Sequence, residues 1–291
     1  MWSSISDYRH PTRVGDALRL LARPYRRSVP LAGGTWLVAR HDPAVEAVID
    51  LSALDLAFVE QRGRRLRVGA MTTLQTLATH PSIRALANGL VADAANRHAP
   101  RAIRNVATLG GTLVASGNTS EIVLALLALD AQVVIRAPAR RVVSLDAFLA
   151  HRAEYLPATG LILEVVVPSV PTHAATVLAE VNHTPRDRAI VNAAALIARK
   201  GNVCRTARLA LGGIAPEPTR LPSIEAALIG QELDQDALAR VAHEVSAAID
   251  PPADTRASAD YRREMAGVIA VRALREAWQR AGEGRDNGHH T

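Results

Sequence analysis

The chain has 291 residues, 48% of them hydrophobic and 21% charged. That is enough apolar material for two or three modest domains with cores of their own, and too much for a largely disordered chain. The formal net charge is +6, but the basic residues are spread along the chain and aromatics make up only 3%. A solvated basic surface is therefore expected rather than a nucleic-acid partner. The longest apolar run, Ile122 to Ile135, is broken by Asp130 and falls short of the roughly 20 residues a membrane span requires. The N-terminal "MWSSISDYRHPTRV" lacks the apolar stretch of a signal peptide. Cys204 is the only cysteine, which excludes internal disulfides and any Cys-ligated iron–sulfur cluster held by this chain alone. A soluble, cytoplasmic protein with no membrane span is expected. Nearly all the positive charge is arginine, since Lys200 is the only lysine.

In chain order, "VGDALRLLARP" has Val14, Leu18 and Leu21 at helical spacing and stops before Pro24. "SVPLAGG" reads as a short strand running into a glycine turn. "DPAVEAVIDLSAL" offers Asp42 as an N-cap and Pro43 as first helical residue, which predicts a helix closing on Asp50. "LRVGAMTTLQTLATHPSI" reads as a strand, a turn at Gly69 and a helix capped by Thr72 or Thr73. "AIRNVATLGGTLVASGN" carries a second glycine turn. The stretch from Glu121 to Leu149 predicts a helix, a strand, an exposed turn near Pro138 and another strand. "GLILEVVVP" is a β-branched strand closed by Pro168. Beyond a boundary near "PSVPTHA", a long hairpin turns at Gly201-Asn202, and three helices follow. The last ten residues are expected to fray, and His289-His290 is no metal site.

Two near-identical stretches stand out: "LAGGTWL", with Gly33-Gly34-Thr35, and "TLGGTLV", with Gly110-Gly111-Thr112. A Gly-Gly after a strand can adopt positive φ and lets backbone approach a ligand without Cβ interference. Successive amides on one side form an anion-binding nest, and a following helix N-terminus adds a favourable dipole. Each copy alone is also what a ligand-free turn looks like; the pair could grip one diphosphate. Neither G-x-G-x-x-G nor G-x-x-x-x-G-K-[ST] is present, so such a site is neither Rossmann nor P-loop.

In these flanks the two stretches resemble the flavin-binding segments of the FAD-binding subunit of the xanthine dehydrogenase and carbon monoxide dehydrogenase family. "LAGGTWL" resembles the family's AGGT/S, and "IRNVATLGGTLVASGNTSE" its RN-x-x-T-[IL]-GG-N with an acidic residue ten positions after the second Gly-Gly. The likeness continues through "VGAMTTLQ", "LLALDAQVV", "ARLALGGIAPEPTRLPSIEAALIG" and "DTRASADYRREMAGVIAVRAL", from about Asp7 to Ala281. It implies an α+β chain with a two-part, PCMH-type FAD-binding domain. A small α/β subdomain (1–55) and a mixed or antiparallel sheet subdomain (56–170) make up that domain. A CO dehydrogenase flavoprotein-type C-terminal α+β domain (171–281) and a flexible tail (282–291) follow.

The resemblance also implies FAD as cofactor, with Val29, Pro30, Leu31, Ala32, Gly33, Gly34, Thr35 and Trp36 around the diphosphate. Thr108, Leu109, Gly110, Gly111 and Thr112 supply the second loop, Glu121 the acidic position, and Ile162 the apolar contact near the isoalloxazine. The implied partners are a molybdopterin-bearing large subunit and a small subunit with two [2Fe–2S] clusters, with NAD, oxygen or a quinone as final acceptor. Two residues depart from the pattern. Glu121 stands where the family usually has Asp, and Glu180 falls where xanthine-oxidising members have a lysine near the flavin. Arg186 or Arg188 in "TPRDRA" is then the replacement cation. A flavin-free structural or regulatory paralogue is the alternative reading. His98 has no acid–base partner at motif spacing and reads as a surface or packing residue. Arg104 and Asn105 read equally as loop braces or ligand contacts.

Overall fold

The computed structural model describes residues 5–115, 117–171, 173–184 and 187–283. In chain order the elements are β1 (Asp7–Arg9), α1 (Val14–Leu21), β2 (Ser28–Leu31), α2 (Thr35–Arg40), β3 (Ala47–Asp50), β4 (Val59–Arg62) and β5 (Arg65–Gly69). Then come α3 (Leu74–Thr79), α4 (Pro81–Ala85), a 3-10 turn (Leu86–Gly89), α5 (Leu90–His98), α6 (Arg101–Arg104), α7 (Leu109–Ala115) and α8 (Glu121–Ala128). They are followed by β6 (Gln132–Arg136), β7 (Arg140–Ser144), α9 (Leu145–Ala150), α10 (Arg152–Tyr155), β8 (Leu161–Val167) and β9 (Ala174–Val181). The last are β10 (Val191–Lys200), β11 (Val203–Gly212), β12 (Thr219–Arg220), α11 (Pro222–Leu228), α12 (Gln235–Ala248) and α13 (Ala259–Glu283). The expected frayed tail beyond Glu283, with His289 and His290, lies outside the described residues.

Two compact units result. The first draws on the described residues of 1–82, 99–116 and 131–168, the second on those of 83–98, 117–130 and 169–291. Residues 83–98 and 117–130 fall within the second sequence segment yet fold with the C-terminal part of the chain.

The first unit holds a parallel three-stranded sheet, β1-β3-β2, and an antiparallel five-stranded sheet, β4-β5-β8-β6-β7. The helix predicted over "DPAVEAVIDLSAL" is not formed: Ala47–Asp50 is the central strand of the parallel sheet. Ala47, Val48 and Ile49 are buried, and two β-branched residues in a strand flanked on both sides outweigh a capping signal. Asp42 instead accepts from the Ala44 amide at 3.0 Å and pairs with Arg27 at 2.7 Å, so it makes a turn rather than a cap. The helices of this small α/β piece are α1 and, directly after the first Gly-Gly, α2. Pro30 is tolerated in β2 because that strand is an edge. Ala17 and Leu21 of α1 pack with Ile49, Leu51, Leu54 and Leu161, each large side chain contributing about 1.5–3 kcal/mol of burial. Thr73, not Thr72, caps α3, accepting from the Thr76 amide. β8 is buried along its length, and the carboxylate of Glu164 within it is met by Arg67 at 2.5 Å and Arg140 at 3.0 Å.

The second unit is an antiparallel sheet, β12-β11-β10-β9, whose β10–β11 hairpin turns at Gly201 with φ +61°. Ala193, Ala195 and Ile197 share a core with Ala266, Ile269, Ala270, Ala273 and Leu274 of α13. β10 also touches α8, a helix buried all round, which packs in turn on α5. Alanine along β10 and α13 lets helix and sheet backbones approach closely.

Candidate cofactor-binding site

Both glycine stretches belong to the first unit, and the structure brings them together: a Cβ on Gly111 would stand 4.0 Å from the Cβ of Ala32. The first follows the carboxyl end of β2 in a parallel sheet, the edge at which α/β sheets present ligand-binding loops. Gly34 caps α2 with φ +70° and no side-chain hydrogen bond. An α-helix leaves its first amides without intrahelical partners, so those of Thr35, Trp36 and Leu37 form an open donor set with a favourable dipole behind them. Trp36 is half-exposed, with the Arg40 guanidinium 4.9 Å from its ring centroid.

The second stretch is organised differently. Gly110 and Gly111 lie in the first turn of α7, not in a turn preceding it. The Leu109 amide donates to Thr72 O at 2.9 Å and the Gly110 amide to Ala70 O at 2.8 Å. Gly111 N donates to Thr108 Oγ1 at 3.2 Å, and Thr112 N to Thr108 O at 2.9 Å. These amides are engaged inside the protein, and Thr108 serves as the helix cap. The stretch brings its backbone close to the first one at Gly111, and Thr112 within it is buried.

The glycines also divide by what surrounds them. A Cβ on Gly33 would lie 1.8 Å from the Val106 carbonyl oxygen, and one on Gly110 2.8 Å from Ala70 Cβ. Both are glycine because another protein segment passes there, not because a ligand does. Gly34 is different: its φ is left-handed, and a Cβ there would meet only the Leu31 and Val38 side chains, at 3.3 and 3.6 Å. Arg104 braces the connecting segment, donating to Ala99 O at 2.8 Å and Gln75 Oε1 at 3.1 Å. Ile162 is buried in β8 opposite Ile135, beside a register shift in β6.

Glu121 and Glu180 belong to the second unit. Glu121 opens α8, and its Oε2 is 2.7 Å from His98 Nδ1. This corrects the reading of His98 as partnerless: its partner is 23 residues away on another helix, where no local spacing could show it. Glu180, in β9, has Arg97 Nη1 3.5 Å from its Oε1. Arg188 is exposed, with its guanidinium over Gly117, where a Cβ would meet Nη2 at 2.3 Å; Arg186 lies outside the described residues.

Residues 3–170 match the family described as the FAD binding domain in molybdopterin dehydrogenase, and residues 178–277 the CO dehydrogenase flavoprotein C-terminal domain. The chain is similar to the carbon monoxide dehydrogenase medium chain of Afipia carboxidovorans, 30% identical over 94% of this chain and 97% of that one. It is also similar to the 6-hydroxypseudooxynicotine dehydrogenase complex subunit alpha of Paenarthrobacter nicotinovorans, 28% identical over 98% of each. A solved carbon monoxide dehydrogenase from Hydrogenophaga pseudoflava superposes with a TM-score of 0.86 at 28% identity, over 94% of this chain and 97% of the matched chain. The residues present fit FAD. An uncapped helix start after a parallel strand, with a left-handed glycine at its cap, suits a diphosphate, and the donors there carry no competing side chain.

Proposed function

The chain belongs to the family of FAD-binding medium subunits of CO dehydrogenase-type molybdenum hydroxylases, and from that premise we propose that it is the electron-transfer subunit of such a complex. On this reading a small subunit with [2Fe–2S] clusters delivers electrons drawn from substrate at a molybdopterin-bearing large subunit. NAD, oxygen or a quinone takes them away. FAD, when bound, supplies the redox chemistry, and the chain supplies position and electrostatics.

The residues divide the work. Gly34 sets the turn, and the amides of Thr35 to Leu37 hold the diphosphate. Ala32 and Gly111 let the two segments close on it, and Thr112 offers a hydroxyl. Val29, Pro30, Leu31, Gly33, Thr108, Leu109 and Gly110 hold the frame those groups stand on. Ile162 is the apolar residue toward the ring system. Glu121 and Glu180 are the charged positions.

The observation that carries the proposal is the uncapped start of α2 behind Gly34, in a chain whose single cysteine leaves any cluster to a partner. Purified alone, the chain should be yellow with noncovalent FAD released on denaturation, and should not turn over an organic substrate with added acceptor. Co-expression with the genes beside its own should yield a complex that does. Colourless protein would return the flavin-free reading, and robust turnover by the lone chain would overturn the subunit assignment.

A further inference from the structure

Three arginines of the first unit converge on one carboxylate. Arg9 Nε lies 2.7 Å from Asp7 Oδ1, and Arg23 Nη1 and Arg26 Nη1 lie 3.2 and 3.4 Å from Oδ2. Asp7 is 8% exposed, whereas the three arginine side chains are exposed at 54%, 41% and 47%. The aspartate is thus a buried anchor, and the guanidiniums form the surface above it. Against its single negative charge they leave positive charge in excess. The nearby carboxylates are engaged elsewhere: Asp42 pairs with the Arg27 side chain at 2.7 Å, and Glu46 accepts the Arg27 amide at 3.1 Å. Each guanidinium carries five N–H donors in a planar fork, and one carboxylate has lone pairs for about four. Most of the three forks is left for a second anion.

The run from residue 22 to residue 27, which carries Arg23 and Arg26, is exposed throughout. Tyr25 between them is 93% exposed, the most exposed large hydrophobic among the described residues. The place of the cluster excludes the flavin as its occupant. Asp7 and Ser28 are both in register with Ala47, where the three parallel strands begin. Gly33 and Gly34 follow the far end of β2, about 10 Å further along the strand direction. A small anion is disfavoured too, because small-molecule sites are concave and bury most of their ligand, and this run lies open along its length. Tyrosine and arginine are instead the residues that concentrate binding energy between proteins. The guanidinium fork matches a carboxylate in charge and in shape.

Resting on the reading of the chain as a subunit, we infer that Arg9, Arg23, Tyr25 and Arg26 form a docking surface for a carboxylate-bearing surface of a partner subunit. Asp7 holds the guanidiniums in place beneath it.

The test uses the complex obtained by co-expression with the neighbouring genes. Its dissociation is followed by light scattering over a range of salt concentrations, with flavin content and melting temperature as further readouts. Wild-type association weakens as salt rises. Arg23→Gln/Arg26→Gln weakens it about tenfold or more at low salt, the size of a charge-assisted hydrogen bond, and flattens the salt dependence. Arg23→Glu/Arg26→Glu weakens it further by repulsion. Arg9 stays on Asp7 in both variants, so the buried carboxylate keeps a partner, and flavin content is unchanged. Tyr25→Ala weakens association without altering its salt dependence. Arg64→Glu/Arg65→Glu, an equal change in charge at the exposed β4–β5 turn, leaves association as it was. The inference is overturned if Arg23→Glu/Arg26→Glu assembles like wild type, or if the Arg64/Arg65 variant weakens assembly equally, since net charge alone then governs it. Loss of assembly together with flavin and melting temperature in both Arg23/Arg26 variants overturns it as well, by placing these arginines in the fold. So does an indifferent complex whose free chain binds inorganic phosphate, or a second copy of itself, through them. If the wild-type chain forms no complex, the subunit reading fails first, and the inference with it.

Discussion

The two Gly-Gly-Thr stretches are nearly the same in sequence and unlike in structure. In the first, a left-handed Gly34 caps α2 without any side-chain hydrogen bond. In the second, Thr108 caps α7, and the amides of Leu109 to Thr112 bond to Ala70, Thr72 and Thr108. One stretch opens its helix without a side-chain cap; the other has its amides bonded within the protein. The same tripeptide thus gives opposite outcomes because it meets its helix in a different register: Gly34 is itself the cap of α2, whereas Thr108, two residues before Gly110, caps α7 and leaves both glycines inside the helix.

Substitution at the glycines gives the sharpest ways to break that contrast, and Gly33→Val has the largest expected effect. Its Cβ would enter the Val106 carbonyl, and backbone cannot move aside as a flexible side chain can. We expect loss of soluble protein or destabilisation of at least 3 kcal/mol, at or beyond the usual ~1–3 kcal/mol of overpacking. The measurement is thermal unfolding of the apo chain. A normal melting temperature would show that the segment carrying Gly33 is free to move away from Val106.

Gly110→Val comes next, at about 1–3 kcal/mol, because a Cβ there would meet Ala70 Cβ at 2.8 Å and the Ala70 carbonyl oxygen at 3.0 Å, a lesser overlap than at Gly33. Ala70→Gly in the same chain should recover part of that loss. If it does not, the damage lies in the α7 helix start instead.

Gly34→Ala separates ligand from fold. Forcing an L-residue into φ +70° costs about 1–2 kcal/mol, which a domain of this size tolerates. FAD affinity should nevertheless fall about tenfold as the α2 amides turn, and Gly34→Asn, which accepts the left-handed region more readily, should lose less. Equal affinities in all three proteins would remove the α2 N-terminus from the site. Thr108→Val should cost only about 1 kcal/mol of stability through the lost cap, with a smaller loss of FAD affinity than Gly34→Ala.

The smallest effect serves as a control on the second unit. Burial pushes the Cys204 thiol up to about 11, so the folded protein holds it as the unreactive thiol through neutral and mildly alkaline pH. A thiol reagent at pH 8 should leave it unlabelled in the wild type and in Gly34→Ala alike, and label it only on unfolding. Rapid labelling in Gly34→Ala would show that the substitution disturbs more than the turn.

Sequence alone determined most of the elements, and it singled out the two glycine stretches. Helical spacing marked α1 and α11 to α13, β-branched runs marked β8, β10 and β11, and the paired Gly-Gly motifs pointed to one diphosphate. Those signals are local, set by periodicities and turn residues within one stretch of chain. Tertiary structure decided what depends on neighbours distant in sequence. Ala47–Asp50 became a strand because β1 and β2 flank it on both sides, overriding the capping signal of Asp42. Gly33 and Gly110 proved to be spacers for Val106 and Ala70, which sequence cannot separate from ligand-facing glycines because both need only the absence of a Cβ. The partners of Glu121 and Glu180 came from the end of α5, 23 and 83 residues away. Charge pairing acts through space, and only the packing of α5 on α8 and β9 brings those side chains within reach.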